Sequence, residues 1–368
     1  MPSDSEIYVL NKTISLNNLH QRIGLLDYDL SWTSLNSKLR SYEDLSGGLS
    51  DALLELENHQ RESGFIVDDL RAIQRFVFSH PTKDYSFRVQ LNPKRARRHN
   101  GTGILQPPRN ETYLHDGCFL CRRNIKWQQE GRQIGFEIKT QSGDYNALMN
   151  PFPLMPNHVV LASREHIPQE VKLLSKNQHG KRLEELLEDL CELACRLPKH
   201  VGFYNGVGAG ASIASHFHFQ FFKRLPDIPN FPIEERSFTS SKDGRRPEFI
   251  LDYPIHVLRW RGSISEVVSK AFLWITQSIK EIGVSKHRLT SNFIATSSEL
   301  GETVTLYFIP RDKENQFWNG GKGIVGGLEI LGELVMASKD ERTLIKKGKI
   351  DYFFINCALS NISTRLSH

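Results

Sequence analysis

Apolar residues recur at helical spacing early in the chain, at Leu53, Leu54 and Leu56 and again at Val67, Leu70 and Ile73. Residues 1–85 therefore read as a mixed, partly helical lead-in. Ser86 to Leu91 predicts a strand, and it runs into a basic segment, Asn92-Pro-Lys-Arg-Ala-Arg-Arg-His99. Glycine, proline and asparagine dominate residues 100–110, which predicts a loop. A β-rich block follows, with Cys118 and Cys121, an Asn150-Pro-Phe-Pro153 turn, and a strand from Asn157 to Ser163. The clearest helix spans 178–197, where Leu183, Leu186, Leu187, Leu190, Leu193 and Leu197 make one stripe and Pro198 stops it. A glycine-rich loop leads into a strand from Ser215 to Lys223. Residues 225–247, rich in proline and charge, separate two halves. The second half, 248–368, predicts a helix near 264–282, strands near 292–295 and 303–310, and a helix starting near Gly327. The elements do not alternate strand–helix–strand throughout, so the class is α+β with mainly antiparallel pairing.

Composition narrows the picture. The 368 residues are 39% hydrophobic and 24% charged, without repeats or low-complexity tracts, as in an ordinary globular protein of two or three packing units. No apolar run approaches the ~20 residues of a bilayer crossing. The N-terminal MPSDSEIYVL lacks the basic-then-apolar pattern of a secretory signal. Both point to a cytoplasmic protein with no membrane partner. The five cysteines are an odd number, which argues against a disulfide framework. A net charge of +5 suits a phosphate-bearing small molecule and falls short of a dedicated nucleic-acid binder.

The strongest chemical signal is Ser215-His-Phe-His-Phe-Gln-Phe-Phe222. Side chains alternate along a strand, so His216, His218 and Gln220 share one face while Phe217, Phe219 and Phe221 share the other. The bland reading of that face is a solvated polar surface. The chemical one is that a neutral imidazole attacks phosphorus and leaves again, with an amide beside it to hold a phosphoryl oxygen. In the preceding Asn205-Gly-Val-Gly-Ala-Gly-Ala-Ser212, a dinucleotide-binding glycine pattern would need a helix to follow, and a strand pattern follows instead. The glycines are better read as letting backbone N–H groups approach phosphate, with Gly210 and Ser212 as substrate contacts. Cys118 and Cys121 make a lone CxxC. It is either two reduced cysteines in a tight turn or half of a zinc site that His166 and His216 would complete. Cys191 and Cys195, four apart on the predicted helix, read as small core residues.

Several patches resemble the galactose-1-phosphate uridylyltransferase branch of the histidine-triad (HIT) superfamily. They are Cys118-Phe-Leu-Cys-Arg-Arg-Asn124, Asn205 standing 11 positions before His216, the His-x-His-x-Gln strand, and Gly326-Gly-Leu-Glu-Ile-Leu-Gly-Glu333. Asn150-Pro-Phe-Pro153, His216-Phe-His-Phe-Gln220 and Phe231-Pro-Ile-Glu234 also resemble GDP-hexose phosphorylases, and Gln90-Leu-Asn-Pro93 a further bacterial branch. The resemblance implies a HIT-like fold of antiparallel sheets flanked by helices, with a catalytic half over 86–235 and a second half over 248–368 that adds substrate contacts. It implies that His218 is the nucleophile and that Gln220 holds the α-phosphoryl oxygens, with Asn205 helping to orient them. Asn150 and Phe152 would face the nucleobase, Glu329 the hexose hydroxyls, and Arg311 is counted with the substrate-binding residues. Cys118, Cys121, His166 and His216 would bind a structural zinc. Phe217 and Phe219 stand where the transferases have Pro and Gly. Beyond residue 250 only His256, His287 and His368 occur, too few for the transferases' second metal site. The expected activity is nucleotidyl transfer through His218, from a nucleotide sugar or dinucleoside polyphosphate to inorganic phosphate or a sugar phosphate. Hydrolysis of nucleotide conjugates is the alternative. A non-catalytic RNA-binding role for Lys94, Arg95, Arg97 and Arg98 is a third reading. Family members are often dimers, which implies a homodimer.

Overall fold

The computed structural model describes residues 27–45, 47–100, 106–107, 111, 113–172, 180–239, 246–279, 284–285, 287–318 and 323–364. Most of the expected 100–110 loop lies outside them. Two compact units form. One holds the described residues up to Phe65 and from 106 to Phe136; the other holds 66–100 and the described residues from Glu137 onward.

In the first unit, α1 (residues 27–43) and α2 (Gly48–Glu62) bury Tyr28, Trp32, Leu39, Leu49, Leu53 and Leu56, while Leu54 faces out. The short α3 (Arg122–Gln128) follows the CxxC turn. The Arg122 guanidinium lies 4.3 Å over the Trp32 ring, and Lys126 pairs with Asp29 at 2.8 Å.

The second unit is built on strands. In chain order they are β1 (Gln74–Ser79), β2 (Ser86–Leu91), β3 (Phe136–Lys139, whose first residue closes the other unit), β4 (Asp144–Met149) and β5 (Val159–Ser163). Short β6 (Val171–Lys172) pairs in parallel with β7 (Lys181–Arg182). Helix α4 (Leu183–Arg196) precedes β8 (His200–Asn205) and β9 (His218–Lys223). Then come β10 (Glu248–Phe249), β11 (Leu258–Gly262), helix α5 (Ile264–Ser278), β12 (Leu289–Ser297) and β13 (Val304–Asp312). Short β14 (Phe317–Trp318) and β15 (Gly323–Ile324) pair before α6 (Gly327–Ile330), β16 (Glu333–Met336), α7 (Lys339–Lys346) and α8 (Tyr352–Ser360).

Nine of these strands make one sheet in the order β10-β11-β13-β12-β8-β9-β5-β4-β3, antiparallel from β10 through β4. The order repeats a unit: β5, α4, β8 and β9 are matched by β11, α5, β12 and β13, and the two repeats meet at the β8–β12 pairing. Helices α4 and α5 pack against each other and against the sheet strands. Phe203, Phe222, Ile294, Tyr307 and Ile309 face a second core, shared with β2, β16, α6 and α8. This is an α+β fold with a large antiparallel sheet flanked by helices.

Three expectations need correction. Residues 67–73 are not helical: the Asp68 carboxylate accepts the Leu70 N–H at 3.0 Å, Leu70 takes φ 64°, and Val67 is exposed. That local side-chain bond competes with a helix and wins. The strongest predicted helix begins at Leu183, where its leucine stripe begins, five residues later than the predicted span of 178–197, because 181–182 are in β7. The helix expected from Gly327 is a single turn, cut by Gly332 at φ 99°.

Asp189 of α4 fastens the β3–β4 turn to the helix. It accepts from Thr140 Oγ1 at 2.6 Å, the Ser142 N–H at 3.1 Å, Tyr145 Oη at 2.5 Å and Lys181 Nζ at 2.5 Å. Asp189 is fully buried and Lys181 nearly so. Asp189→Ala would leave a buried ammonium without its partner, so a loss of about 3–5 kcal/mol is expected in urea denaturation. A loss below about 1 kcal/mol would contradict this role.

Candidate active site at the open end of the β8–β9 ladder

Strands β8 and β9 pair from His200↔Lys223 to Phe203↔Gln220, and two residues further on that register would set Asn205 opposite His218. The side-chain amide of Gln169 stands there instead. Its Oε1 accepts the His218 N–H at 2.6 Å, and its Nε2 donates to the carbonyls of Asn205 and His218, each at 2.9 Å. The Gln169 backbone is held as well, by the Ala214 carbonyl at 3.0 Å and Tyr204 Oη at 3.0 Å. The strand consequently starts at His218 rather than Ser215, and His216 precedes it. Phe217 still bonds through its backbone to Ile167 and Ser163. Sequence reading passed over Gln169 because a buried glutamine on a loop carries no periodic signal.

His218 is buried, and its Nδ1 lies 2.8 Å from the His216 carbonyl. A carbonyl only accepts, so Nδ1 is the protonated nitrogen, and in a neutral ring the lone pair falls on Nε2. Gln220, next on the same face, accepts at Oε1 from His158 Nε2 at 3.0 Å. His158 Nδ1 in turn accepts the Leu154 N–H at 3.2 Å, which fixes its tautomer. Burial holds the His158 pKa down to about 3, with Arg95 adding repulsion, so its ring is neutral. The Gln220 amide is thereby set with Nε2 as the donor left to offer.

The Asn150 turn is held from outside. Asn150 Oδ1 accepts the Phe152 N–H at 2.9 Å. Three successive carbonyls are then gripped: Phe152 by Arg95 at 2.7 Å, Pro153 by Asn92 at 3.2 Å and Leu154 by Gln90 at 2.8 Å. The Gln90-Leu-Asn-Pro93 motif is thus a clasp for this turn. Lys94 of the basic segment pairs with Asp68 at 3.2 Å and Asp69 at 3.4 Å. Lys94 and Arg95 are therefore both engaged within the fold, which weakens the RNA-binding reading.

Asn205 is buried at the end of β8, and its Oδ1 accepts from Asn292 at 2.8 Å. Gly210 takes φ 99°, and a β-carbon there would lie 2.5 Å from Gly326 Cα, so only glycine fits between the two backbones. Ser212 is exposed. Arg311 is fully buried, bonded to Asn292 at 3.0 Å and to the carbonyls of Val325 and Asn315, each at 3.2 Å. Glu329 accepts the Gly326 N–H at 2.9 Å.

The ligand atoms of Cys118, Cys121, His166 and His216 all lie within 4.8 Å of one another, the group that could hold a metal ion among the described residues. His216 Nε2 donates to the Ser163 carbonyl at 2.7 Å, which leaves Nδ1 as the ligand nitrogen, and this faces His166 Nδ1 at 3.2 Å. A ring N–H tied to a carbonyl is the usual support of a metal-bound imidazole. The hydrogen bond with Cys118, and then burial, hold the Cys121 thiol far above its ordinary range. Two sulfurs competing for one proton are what a divalent cation relieves. Asn124 steadies the turn by donating to the carbonyls of Leu114 at 2.8 Å and Cys118 at 3.0 Å.

Residues 65–223 match a family described as a domain of unknown function (DUF4922). No curated protein matches the chain in sequence. Three crystal structures of yeast Ap4A phosphorylase Apa2 share the fold at 14% identity, each over 84% of this chain. Apa2 alone gives a TM-score of 0.50 over 94% of its chain, the AMP complex 0.51 over 96%, and the Ap4A complex 0.52 over 97%. The fold is HIT-like. Among the described residues, no helix is long and apolar enough to cross a membrane.

His158 and His200 give the fold an acid limit. Burial holds both pKa values down to about 3, against about 6.5 in the unfolded chain. The stability this confers is complete above pH 6.5 and is lost as pH falls toward 3, by up to ~1.4 kcal/mol per pH unit for each histidine. Urea denaturation should show the drop between pH 7 and pH 5, and His200→Gln should make it shallower. An equally steep drop in His200→Gln would remove His200 from this account.

Proposed function

We propose that the protein is a phosphorylase-type nucleotidyltransferase that carries a nucleoside monophosphate on His218. The carrying observation is the His218 ring, whose Nδ1 proton is committed to the His216 carbonyl, so that Nε2 is the nitrogen that bears the lone pair in the neutral ring. In the first step Nε2 forms a bond to the α-phosphorus, and the bond to the bridging oxygen breaks, releasing a phosphorylated leaving group. In the second step an oxygen of inorganic phosphate or a sugar phosphate displaces the imidazole. Gln220 Nε2 donates to the α-phosphoryl oxygens in both. The fold shared with Apa2, a protein described as an Ap4A phosphorylase and crystallised with AMP and with Ap4A, supports a dinucleoside polyphosphate as donor and phosphate as acceptor.

Cys118, Cys121, His166 and His216 suit zinc, which binds thiolates and imidazoles in a closed four-ligand site. Such an ion would be structural and would hold His216, two positions before the nucleophile. Elemental analysis of purified protein should find about one zinc per chain, with X-ray absorption giving Zn–S near ~2.3 Å. Cys121→Ser should lower the zinc content; undiminished zinc would take Cys121 out of the ligand set.

Protein incubated with Ap4A and no phosphate should acquire an acid-labile, alkali-stable AMP adduct on His218, which added phosphate discharges. His218→Ala should lose both adduct and turnover while keeping its zinc. An adduct on His218→Ala would refute the nucleophile assignment. Phosphate-independent release of AMP would establish the hydrolase alternative.

A further inference from the structure

Asn205 closes β8, and its cross-strand partner on β12 is Asn292. Asn292 is fully buried and engaged at both ends of its amide. Its Nδ2 donates to Asn205 Oδ1 at 2.8 Å and to the Ala209 carbonyl at 2.6 Å, and its Oδ1 accepts from Arg311 Nη1 at 3.0 Å. Turning the amide over would set donors against a guanidinium and an oxygen against two acceptors. The orientation passes along to Asn205: with Oδ1 taken by Asn292, that residue has only its Nδ2 donors to offer elsewhere. A β-carbon on Gly326 would sit 3.1 Å from this Nδ2, so the glycine leaves the donor uncovered on that side.

Arg311 stands behind the chain of amides. Its hydrogen-bond partners are neutral, its Nε is buried with no partner, and among the described residues it makes no ion pair. Burial pulls its pKa down to about 9, offset in part by Glu329, and this keeps the guanidinium charged at neutral pH. A buried cation without a bonded counter-ion is costly unless an anion comes to it.

We propose that Asn292 and Arg311 are positioning residues for an oxyanion subsite, fixing the Asn205 amide with its donors toward phosphoryl oxygens and placing a positive charge behind it. The subsite deepens the nucleotidyl-transfer reading and rests on it for the identity of the substrate. Hydrogen bonds in a dry interior polarise one another, so the charge on Arg311 strengthens the donor two residues away in the chain of amides. Neither positioning residue touches the substrate.

Asn292→Asp is the discriminating variant. The new carboxylate still accepts from Arg311 but has no hydrogen for Asn205, whose amide then turns its donors inward and presents oxygen to the ligand. Binding of inorganic phosphate and of AMP is read by calorimetry, and turnover of Ap4A with phosphate is read in parallel. Asn292→Asp should weaken phosphate binding at least about ten-fold and lower kcat about 10²-fold, with a thermal midpoint near that of wild type. Arg311→Lys, which keeps the charge, should retain at least about ten times the turnover of Arg311→Met. Should Asn292→Asp fail to fold, Asn292→Leu removes the donor to Asn205 with no added charge. Wild-type affinity and turnover in the Asn292 variants would overturn the proposal, as would a wild-type protein that binds neither phosphate nor AMP. If wild type transfers no nucleotide while Asn292→Asp still weakens phosphate binding, the transfer reading falls and the subsite stands.

Discussion

Between Asn205 and His218 the two central strands are joined through the amide of Gln169 and not through each other. An antiparallel ladder that ran on would place their backbones in direct contact and leave no room for a ligand at that point. A side-chain amide is a rung of greater width that satisfies the same buried donors and acceptors, so the strands open without leaving polar groups unpaired. The glycine loop departs from one of the opened ends and the His218 ring stands at the other. The amides of Asn205 and Gln220 and the ring of His218 are each oriented by a neighbour.

What those neighbours have in common is that they fix orientation without titrating near neutral pH. His158, kept neutral by burial, sets the Gln220 amide; Asn292 sets the Asn205 amide; a backbone carbonyl sets the His218 ring. Dipoles held in this way are preorganised and need no rearrangement to meet a charge that develops beside them. The clasp of Gln90, Asn92 and Arg95 extends the scheme to the Asn150 turn, whose Leu154 N–H is also the group that fixes His158. That turn and the strand of His218 and Gln220 are thus linked through one imidazole.

The repeated arrangement of strand, helix and hairpin accounts for where the candidate site lies. Each repeat supplies a helix to cover one face and strands whose other face meets the core around Phe203, Phe222 and Ile309. At the β8–β12 seam the second repeat contributes Asn292 and Arg311 to the strand ends of the first, which neither repeat could supply alone.

The α+β class, most of the long strands and the chemical identity of the His218 strand were legible in the residues alone. Periodicity and residue type are local properties, and a row of imidazole, imidazole and amide is rare enough to point to phosphoryl chemistry. The same local reading misplaced the helix at 67–73, where one Asp68 hydrogen bond outweighs apolar spacing, and began the strand at Ser215, where Gln169 opens the ladder. Nor could it show that the fold buries Arg311 against Asn292. Gln169, His158 and Asn292 carried no signal at all. Each is an ordinary polar residue whose role comes from a partner dozens of residues away in the chain, and only packing decides which amide meets which carbonyl. The sequence by itself determined which residue types stand in the His218 strand; the tertiary structure decided how the amides of Gln220 and Asn205 are turned, because their partners lie far off in the chain.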